Sequence, residues 1–122
     1  MTRYVVIGAG AVGSGIGGSL QHAGVEAVLV ARGEQLAALQ GNGLEIVTPT
    51  ETHRVEVTAV GGPDEVAVRP DDVLVLATKT QQAEAALVQW VDVPVEGGGT
   101  AGERLPLIIA LNGVAAEWLA LR

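Results

Sequence analysis

Apolar residues of this chain occur in short continuous runs, and the segments between the runs carry apolar positions at helical spacing. The runs Tyr4–Ile7, Ala27–Ala31 and Val73–Ala77 are typical of strands buried on both faces of a parallel sheet. Between the first two runs, Val12, Ile16 and Leu20 recur every four residues, as on one face of a helix. The pattern predicts helices at Ala11–Ala23, Glu34–Gln40 and Gln81–Trp90.

Two further segments, Leu44–Val47 and Val55–Val60, alternate between apolar and polar residues. This period of two is typical of half-exposed strands, and Pro49 lies in the connection between them. We expect a β-hairpin or ribbon that interrupts the alternation of strands and helices and lies at one edge of the sheet.

The second half of the chain continues the alternation. Thr80 is placed to cap the third helix, and Glu96–Glu103, which contains three consecutive glycines, is predicted to be a flexible surface loop. Leu105–Leu111 is predicted to be a buried strand ended by Asn112-Gly113, with a last helix from about Ala115. The fold class is therefore α/β: one Rossmann-like, doubly wound domain over residues 1–122, with a mostly parallel sheet, helices on both faces and a β-ribbon excursion.

A G-x-G-x-x-G loop follows the first strand directly and opens the first helix. Gly8 allows a sharp turn, Gly10 has no Cβ where a pyrophosphate approaches the backbone, and Gly13 lets the helix lie close to the strand. The helix N-terminus adds free N–H groups and the positive end of a dipole. We predict that a nicotinamide dinucleotide binds at this loop, which comprises Gly8, Ala9, Gly10, Ala11, Val12 and Gly13.

The same region allows two other interpretations. Tyr4–Val25 contains no charged residue, which is long enough to suggest a membrane span or a signal peptide, and a flexible apolar segment without a ligand is a third possibility. Seven glycines interrupt the segment, and the dinucleotide motif accounts for them whereas a membrane helix does not. We therefore expect a cytoplasmic protein without a membrane partner.

Composition narrows the classes of function. The net charge of −7, from 14 acidic and 7 basic residues, argues against a nucleic-acid partner. The chain has no cysteine, which excludes disulfides and zinc–thiolate sites. His22 and His53 lie far apart with no carboxylate at ligand spacing, so no metal site is expected. The acidic residues are scattered and are interpreted as solvated faces.

Three polar residues follow predicted strands, where the carboxyl ends of an open α/β sheet line a ligand crevice. Arg32 lies 19 positions after Gly13, at the place where NAD-specific units usually have an acidic residue, so it favours the 2′-phosphate of NADP. Lys79 is placed to lend a positive charge to the phosphates, and Asn112 to present an amide to the nicotinamide ribose or a substrate. Each also has an ordinary explanation: an exposed arginine, a surface lysine and an Asn-Gly turn.

Four motifs in this order resemble the N-terminal domain of ketopantoate reductases, also called 2-dehydropantoate 2-reductases. They are the glycine loop through Ser14, Ala31-Arg32-Gly33, Thr78-Lys79-Thr80 and Leu111-Asn112-Gly113-Val114. The resemblance implies reduction of 2-dehydropantoate, a small 2-oxo acid, to pantoate with NADPH, on the pathway to pantothenate and coenzyme A. It implies that the glycine loop cradles the pyrophosphate, that Arg32 meets the 2′-phosphate and Lys79 binds cofactor, and that Asn112 contacts both cofactor and substrate.

The chain also departs from the family pattern. Ala115 replaces the usual Gly or Asn, and the loop Gly97–Gly99 is unlike the usual compact connection. The family's proton-donating lysine lies in a second, helical domain, so we expect no catalytic residue within 1–122 and binding without turnover by this chain alone. We expect a homo-oligomer or association with the missing helical domain, because a sheet that stops here exposes apolar area. A non-catalytic NADP-binding sensor or regulatory module, and a related oxidoreductase of the 3-hydroxyacid dehydrogenase kind, are the alternatives.

Overall fold

Seven strands, four helices and one 3₁₀ turn make up the computed structural model, which describes residues 2–8, 11–47, 49–78 and 80–109. In chain order the elements are β1 (Arg3–Ile7), α1 (Ala11–His22), β2 (Ala27–Val30), α2 (Gly33–Asn42), β3 (Leu44–Val47), β4 (Thr52–Val55), β5 (Thr58–Val60), the 3₁₀ turn (Pro63–Glu65), β6 (Asp72–Leu76), α3 (Thr80–Val91), α4 (Ala101–Arg104) and β7 (Leu107–Ile109).

Five of the strands form one parallel sheet in the order β5-β2-β1-β6-β7. In register, Ile7 lies between Val30 of β2 and Leu76 of β6. From β1 the chain moves outward through β2 to β5, and then returns to β6 on the other side of β1. This reversal is the switch point of a doubly wound sheet, and it confirms the Rossmann-like α/β fold.

Helices cover both faces of the sheet, because successive strand residues point to opposite sides. On one face, Val5, Ile7 and Leu76 pack with Ala83 and Trp90 of α3. On the other face, the cluster contains Val6, Leu29 and Val75 from the strands and Leu39 from α2, with Ile16 of α1 packed against it. Apart from Trp90, which is 1% exposed, the buried apolar core consists of Val, Leu, Ile and Ala.

The prediction of one strand at Val55–Val60 was wrong. β4 ends at Val55 and pairs with β3 in a separate antiparallel ribbon, whereas β5 pairs in parallel with β2 in the central sheet. The ribbon does not extend an edge of the central sheet; β3 lies close to α1. The alternation of apolar and polar residues runs unbroken through Glu56 and Val57, so periodicity alone does not reveal where the chain changes sheets.

The flexible loop predicted at Glu96–Glu103 was also partly wrong, because its last residues begin α4. Ala101 is fully buried and anchors this short helix. The glycine turn before it, Gly97–Gly99, is closed by three hydrogen bonds. Val95 N–H donates to the carbonyl of Gly99 (3.0 Å), Gly98 N–H donates to the carbonyl of Val95 (3.0 Å), and the Arg104 guanidinium donates to the carbonyl of Gly98 (2.7 Å). The glycine turn is therefore tied to ordered structure on both sides.

One acidic residue is buried, contrary to the expectation of solvated carboxylates. Asp72 is 1% exposed at the amino end of β6, where its two carboxylate oxygens accept hydrogen bonds from the Arg3 guanidinium at 2.9 and 2.6 Å. The main-chain N–H of Arg69 adds a third hydrogen bond, of 2.8 Å. The hydrogen bond to Asp72 raises the pKa of the Arg3 guanidinium. This pair holds β1 against β6 at the end of the sheet opposite their carboxyl ends.

Two sequence predictions concern residues beyond Ile109. The turn at Asn112-Gly113 and the helix from about Ala115 lie outside the described residues, as does the end of the strand predicted to reach Leu111. The uncharged segment Tyr4–Val25, for which a membrane span is the alternative interpretation, contains most of β1 and the 12-residue α1. None of the helices in the described ranges is long and apolar enough to cross a membrane.

Candidate functional site

A cleft of about 490 Å³ opens at the carboxyl end of the central sheet, at the switch point between β1 and β6. This volume is within the range of roughly 300–1,000 Å³ that is usual for small-molecule sites. The strand ends supply Ile7, Gly8, Val30, Ala31, Arg32, Gly61, Ala77 and Thr78 to its walls, and the helices supply Gln35, Gln82, Ala86 and Gln89. Ligands of open α/β sheets bind at this position.

Two glycines of the N-terminal loop are required by close packing at this end of the sheet. Gly8 has a φ of 105°, and a Cβ on it would lie 2.8 Å from the carbonyl oxygen of Ala77 at the end of β6. A Cβ on Gly13 would overlap the carbonyl oxygen of Gly8 and lie 3.2 Å from the Cβ of Ala77. The first turn of α1 therefore lies directly on the ends of β1 and β6, as the sequence predicts for Gly13.

Further along α1, the glycines differ in what they contact. A Cβ on Gly17 would lie 2.7 Å from Cδ2 of the buried Leu29, so the helix axis approaches β2 closely there. Gly15 is exposed, and a Cβ on it would have no atom within 4 Å. The backbone of α1 thus approaches the sheet closely at Gly13 and Gly17 but not at Gly15.

Arg32 lies in the wall of the cleft, two residues beyond β2, where it is exposed and precedes the first residue of α2. Among the described residues that line the cleft, it is the one charged side chain, and none is acidic. The chain as a whole carries a charge of −7, so this acid-free wall differs in character from the rest of the molecule. The arrangement suits an anionic ligand.

Sequence reasoning gave no role to Thr78, although it appears in one of the motifs. Thr78 lies two residues beyond β6, in the wall of the cleft, and its Oγ1 is buried without a hydrogen-bond partner. Three glutamines in the same wall, Gln35, Gln82 and Gln89, were also missed. A position after a strand was the only signal for Thr78, since a missing hydrogen-bond partner is visible only in three dimensions.

Several predicted site residues cannot be placed against this cleft. Ala9, Gly10, Lys79 and Asn112 lie outside the described residues. Ala11 and Val12 are the first two residues of α1, so their main chain follows the glycine loop as predicted. The described residues contain no group of three or more potential metal ligands.

The strand order, the crossover at β1 and β6 and the glycine loop define a Rossmann-like α/β domain. Within that class, the chain belongs to the ketopantoate reductases: the family described as "Ketopantoate reductase PanE/ApbA" matches residues 4–118.

Individual relatives agree with this assignment. A 2-dehydropantoate 2-reductase from Mesorhizobium japonicum is 34% identical over 113 residues, which cover 92% of this chain and 32% of the relative. A crystal structure from Ralstonia solanacearum, assigned as a ketopantoate reductase, is 31% identical with a TM-score of 0.75, over 93% of this chain and 33% of that one. This chain thus spans about a third of the length of these relatives.

A third comparison concerns the fold alone. D-mandelate dehydrogenase, solved with NADH and anilino(oxo)acetate, is 24% identical to this chain with a TM-score of 0.76. The alignment covers 96% of this chain and 35% of the dehydrogenase chain.

Proposed function

We propose that the chain is the cofactor-binding domain of an NADPH-dependent reductase, which reduces a small 2-oxo acid, 2-dehydropantoate, to the corresponding 2-hydroxy acid. The observation that carries the proposal is the packing of Gly8 and Gly13 on the end of β6, beside a cleft in which Arg32 is the one charged residue described. Membership of the ketopantoate reductase family supports the choice of substrate class.

The glycine packing fits a diphosphate. Because neither Gly8 nor Gly13 carries a Cβ, the start of α1 packs directly on the ends of β1 and β6, beside the cleft that Gly8 lines. The N-terminal N–H groups of a helix and its dipole favour an anion at this position. We assign the diphosphate of the dinucleotide to the loop from Gly8 to Gly13.

Arg32 fits the adenosine end of an NADP molecule. It follows β2, which lies on the β5 side of the glycine loop, and its guanidinium offers a planar fork to phosphate oxygens. None of the described residues that line the cleft is acidic, and the carboxylate of Glu65, which lies beside the wall, accepts a hydrogen bond from the main-chain N–H of Gly61. We therefore favour NADP(H) over NAD(H).

The nicotinamide cofactor, when bound, supplies the hydride, whereas the protein supplies orientation and a proton. The described wall of the cleft offers no carboxylic acid, histidine or lysine to give that proton. We propose that the proton donor lies outside this wall, in a helical domain of the kind that the family resemblance implies. Lys79 as a cofactor contact, and Asn112 as a contact to cofactor and substrate, belong to the same proposal.

The proposal is tested by measuring the binding of NADPH and NADH to the protein by titration calorimetry. We expect NADPH to bind more tightly, and Arg32→Ala to weaken NADPH binding by about tenfold through loss of a charge-assisted contact, with NADH little changed. Arg54→Ala is the matched control, because Arg54 is an exposed arginine on the β3–β4 ribbon.

The outcomes separate the parts of the proposal. Equal affinity for the two nucleotides, or an equal effect of Arg32→Ala on both, would remove Arg32 from its assigned role. Failure to bind either nucleotide would refute the cofactor site itself.

A further inference from the structure

The hydroxyl of Thr78 is the one side-chain polar atom of the described cleft wall that is buried with no hydrogen-bond partner. Buried polar groups are nearly always paired, because an unpaired one costs the fold free energy. Valine has the same shape without the hydroxyl and suits the end of a strand equally well. The fold therefore gains nothing from a threonine here, which points to a partner that arrives with a ligand.

The backbone places Thr78 next to the diphosphate cradle. Its main-chain nitrogen would lie 3.0 Å from a Cβ on Gly8, so the segment after β6 and the residue after β1 are immediate neighbours. Thr78 is half-buried and lines the cleft. Rotation between staggered χ1 positions exchanges the places of its hydroxyl and methyl groups, so the hydroxyl can turn toward a ligand.

The topology decides which half of a dinucleotide Thr78 meets. β2, with Arg32 after it, lies on one side of β1, and β6, with Thr78 after it, lies on the other. A dinucleotide that crosses the switch point has one nucleotide on each side. With the 2′-phosphoadenosine half at Arg32, the nicotinamide half lies on the side of Thr78, and its ribose phosphate offers oxygens that a hydroxyl can pair with.

We propose that Thr78 is a cofactor-binding residue whose hydroxyl pairs with a ribose or phosphate oxygen in the nicotinamide half of the bound dinucleotide. This inference rests on the proposed function, since it uses the same cleft. Thr78 orients the nicotinamide half, whereas Arg32 selects the adenosine half.

The test uses two readouts on Thr78→Val, which removes the hydroxyl and keeps the shape. We expect the NADPH dissociation constant to rise roughly three- to tenfold, and the melting temperature of the free protein to stay equal or rise. Thr78→Ser, which keeps a hydroxyl, should bind NADPH nearly as tightly as the unsubstituted protein. Thr58→Val, at an exposed position near the other end of the sheet, is the matched control and should change neither readout.

A fragment of the cofactor locates the contact. 2′,5′-ADP contains the adenosine and its 2′-phosphate but lacks the nicotinamide half. We expect Thr78→Val to leave the affinity for 2′,5′-ADP unchanged, whereas Arg32→Ala weakens it.

Three results would overturn the inference. The first is unchanged NADPH binding by Thr78→Val. The second is a lower melting temperature of the free variant, which indicates a structural hydrogen bond. The third is a loss of affinity for 2′,5′-ADP equal to the loss for NADPH. If the unsubstituted protein binds no nucleotide, the proposed function itself fails, which is a different result from a Thr78→Val protein that binds normally.

Discussion

Individual glycines of α1 determine how closely this helix approaches the sheet. Gly13 meets the carbonyl of Gly8, and Gly17 meets the buried side chain of Leu29. Gly15, between them on the helix, faces open space. Glycine is therefore needed at position 17, where a Cβ would contact Leu29, but only lowers helix stability at position 15, where a Cβ would have free space.

We predict that Gly17→Ala and Gly15→Ala shift stability in opposite directions. An alanine at position 17 would press on Leu29, which is 1% exposed; such overpacking costs about 1–3 kcal/mol, against a gain of about 0.5–1 kcal/mol in helix propensity. An alanine at position 15 meets nothing and gains about 0.5–1 kcal/mol of helix propensity. Urea unfolding of the two variants measures both effects, and equal unfolding midpoints would contradict the close approach of α1 to β2.

Arg32 and Thr78 show how far the sequence predicts single site residues. Arg32, whose role as a cofactor contact stays a prediction, was singled out because its place after the second strand has a known chemical meaning. Thr78 was not, because its sequence neighbours do not reveal that its hydroxyl lacks a partner. Ala9, Gly10, Lys79 and Asn112 stay predictions, since they lie outside the described residues.

Among the elements, strands β1 and β6 are joined at both ends by different means. Their carboxyl ends meet at Gly8 and Ala77, and their amino ends meet through the ion pair of Arg3 and Asp72. The carboxylate of Asp72 is fully buried and accepts hydrogen bonds from two residues. The pair therefore fixes the register of the two strands that flank the switch point.

We expect Asp72→Asn to lower the free energy of unfolding by about 3–5 kcal/mol, because it leaves the buried guanidinium of Arg3 without its counter-ion. Asp71→Asn is the matched control, since Asp71 is the exposed neighbour in the chain. Chemical denaturation of both variants gives the comparison. A loss for Asp72→Asn no larger than that for Asp71→Asn would show that the pair contributes little.

Continuous apolar runs predicted the buried strands β1, β2 and β6 correctly, because a strand covered on both faces has a distinctive composition. The run Leu105–Leu111 was also predicted to be buried, which was wrong for Leu107 and Ile108 of β7. The ribbon and β5 were not separated, since their alternating pattern is identical on either side of Glu56. The short helix α4 was missed because three glycines precede it, and its stability comes from the burial of Ala101 in the core rather than from the helix propensity of four residues. The local sequence pattern thus predicts elements that are stabilised by general apolar burial. It fails where a single tertiary contact determines whether an element forms.

At the scale of the whole molecule, helices cover the central strands of the sheet, whereas the strand β7 at one edge exposes apolar side chains. Among the strands of the described residues, β7 is an outer one, and its Leu107 and Ile108 are 36% and 48% exposed. An outer strand with exposed apolar side chains favours pairing with another surface. The association expected from the sequence is consistent with this edge and stays a prediction.

We predict that the protein forms a species heavier than a monomer and that Ile108→Lys reduces its mass. A charge on an outer strand discourages contacts between strand edges. Val88→Lys, at a 66% exposed position on α3, tests whether any loss of surface apolarity has the same effect. Light scattering coupled to size exclusion at two concentrations measures the masses. A monomeric unsubstituted protein, or equal effects of the two variants, would contradict a role of β7.

The contact of Gly8 with the end of β6 has a consequence for redesign. Gly8 and the segment after β6 pack directly against each other, so a larger side chain at either place would displace the other. Arg32 stands apart from this contact, on a different strand end and with its side chain in solvent. Ligand preference can therefore be engineered by substituting Arg32 at the end of β2. Substitutions at the contact between Gly8 and Ala77 would instead disturb the packing of β1 against β6.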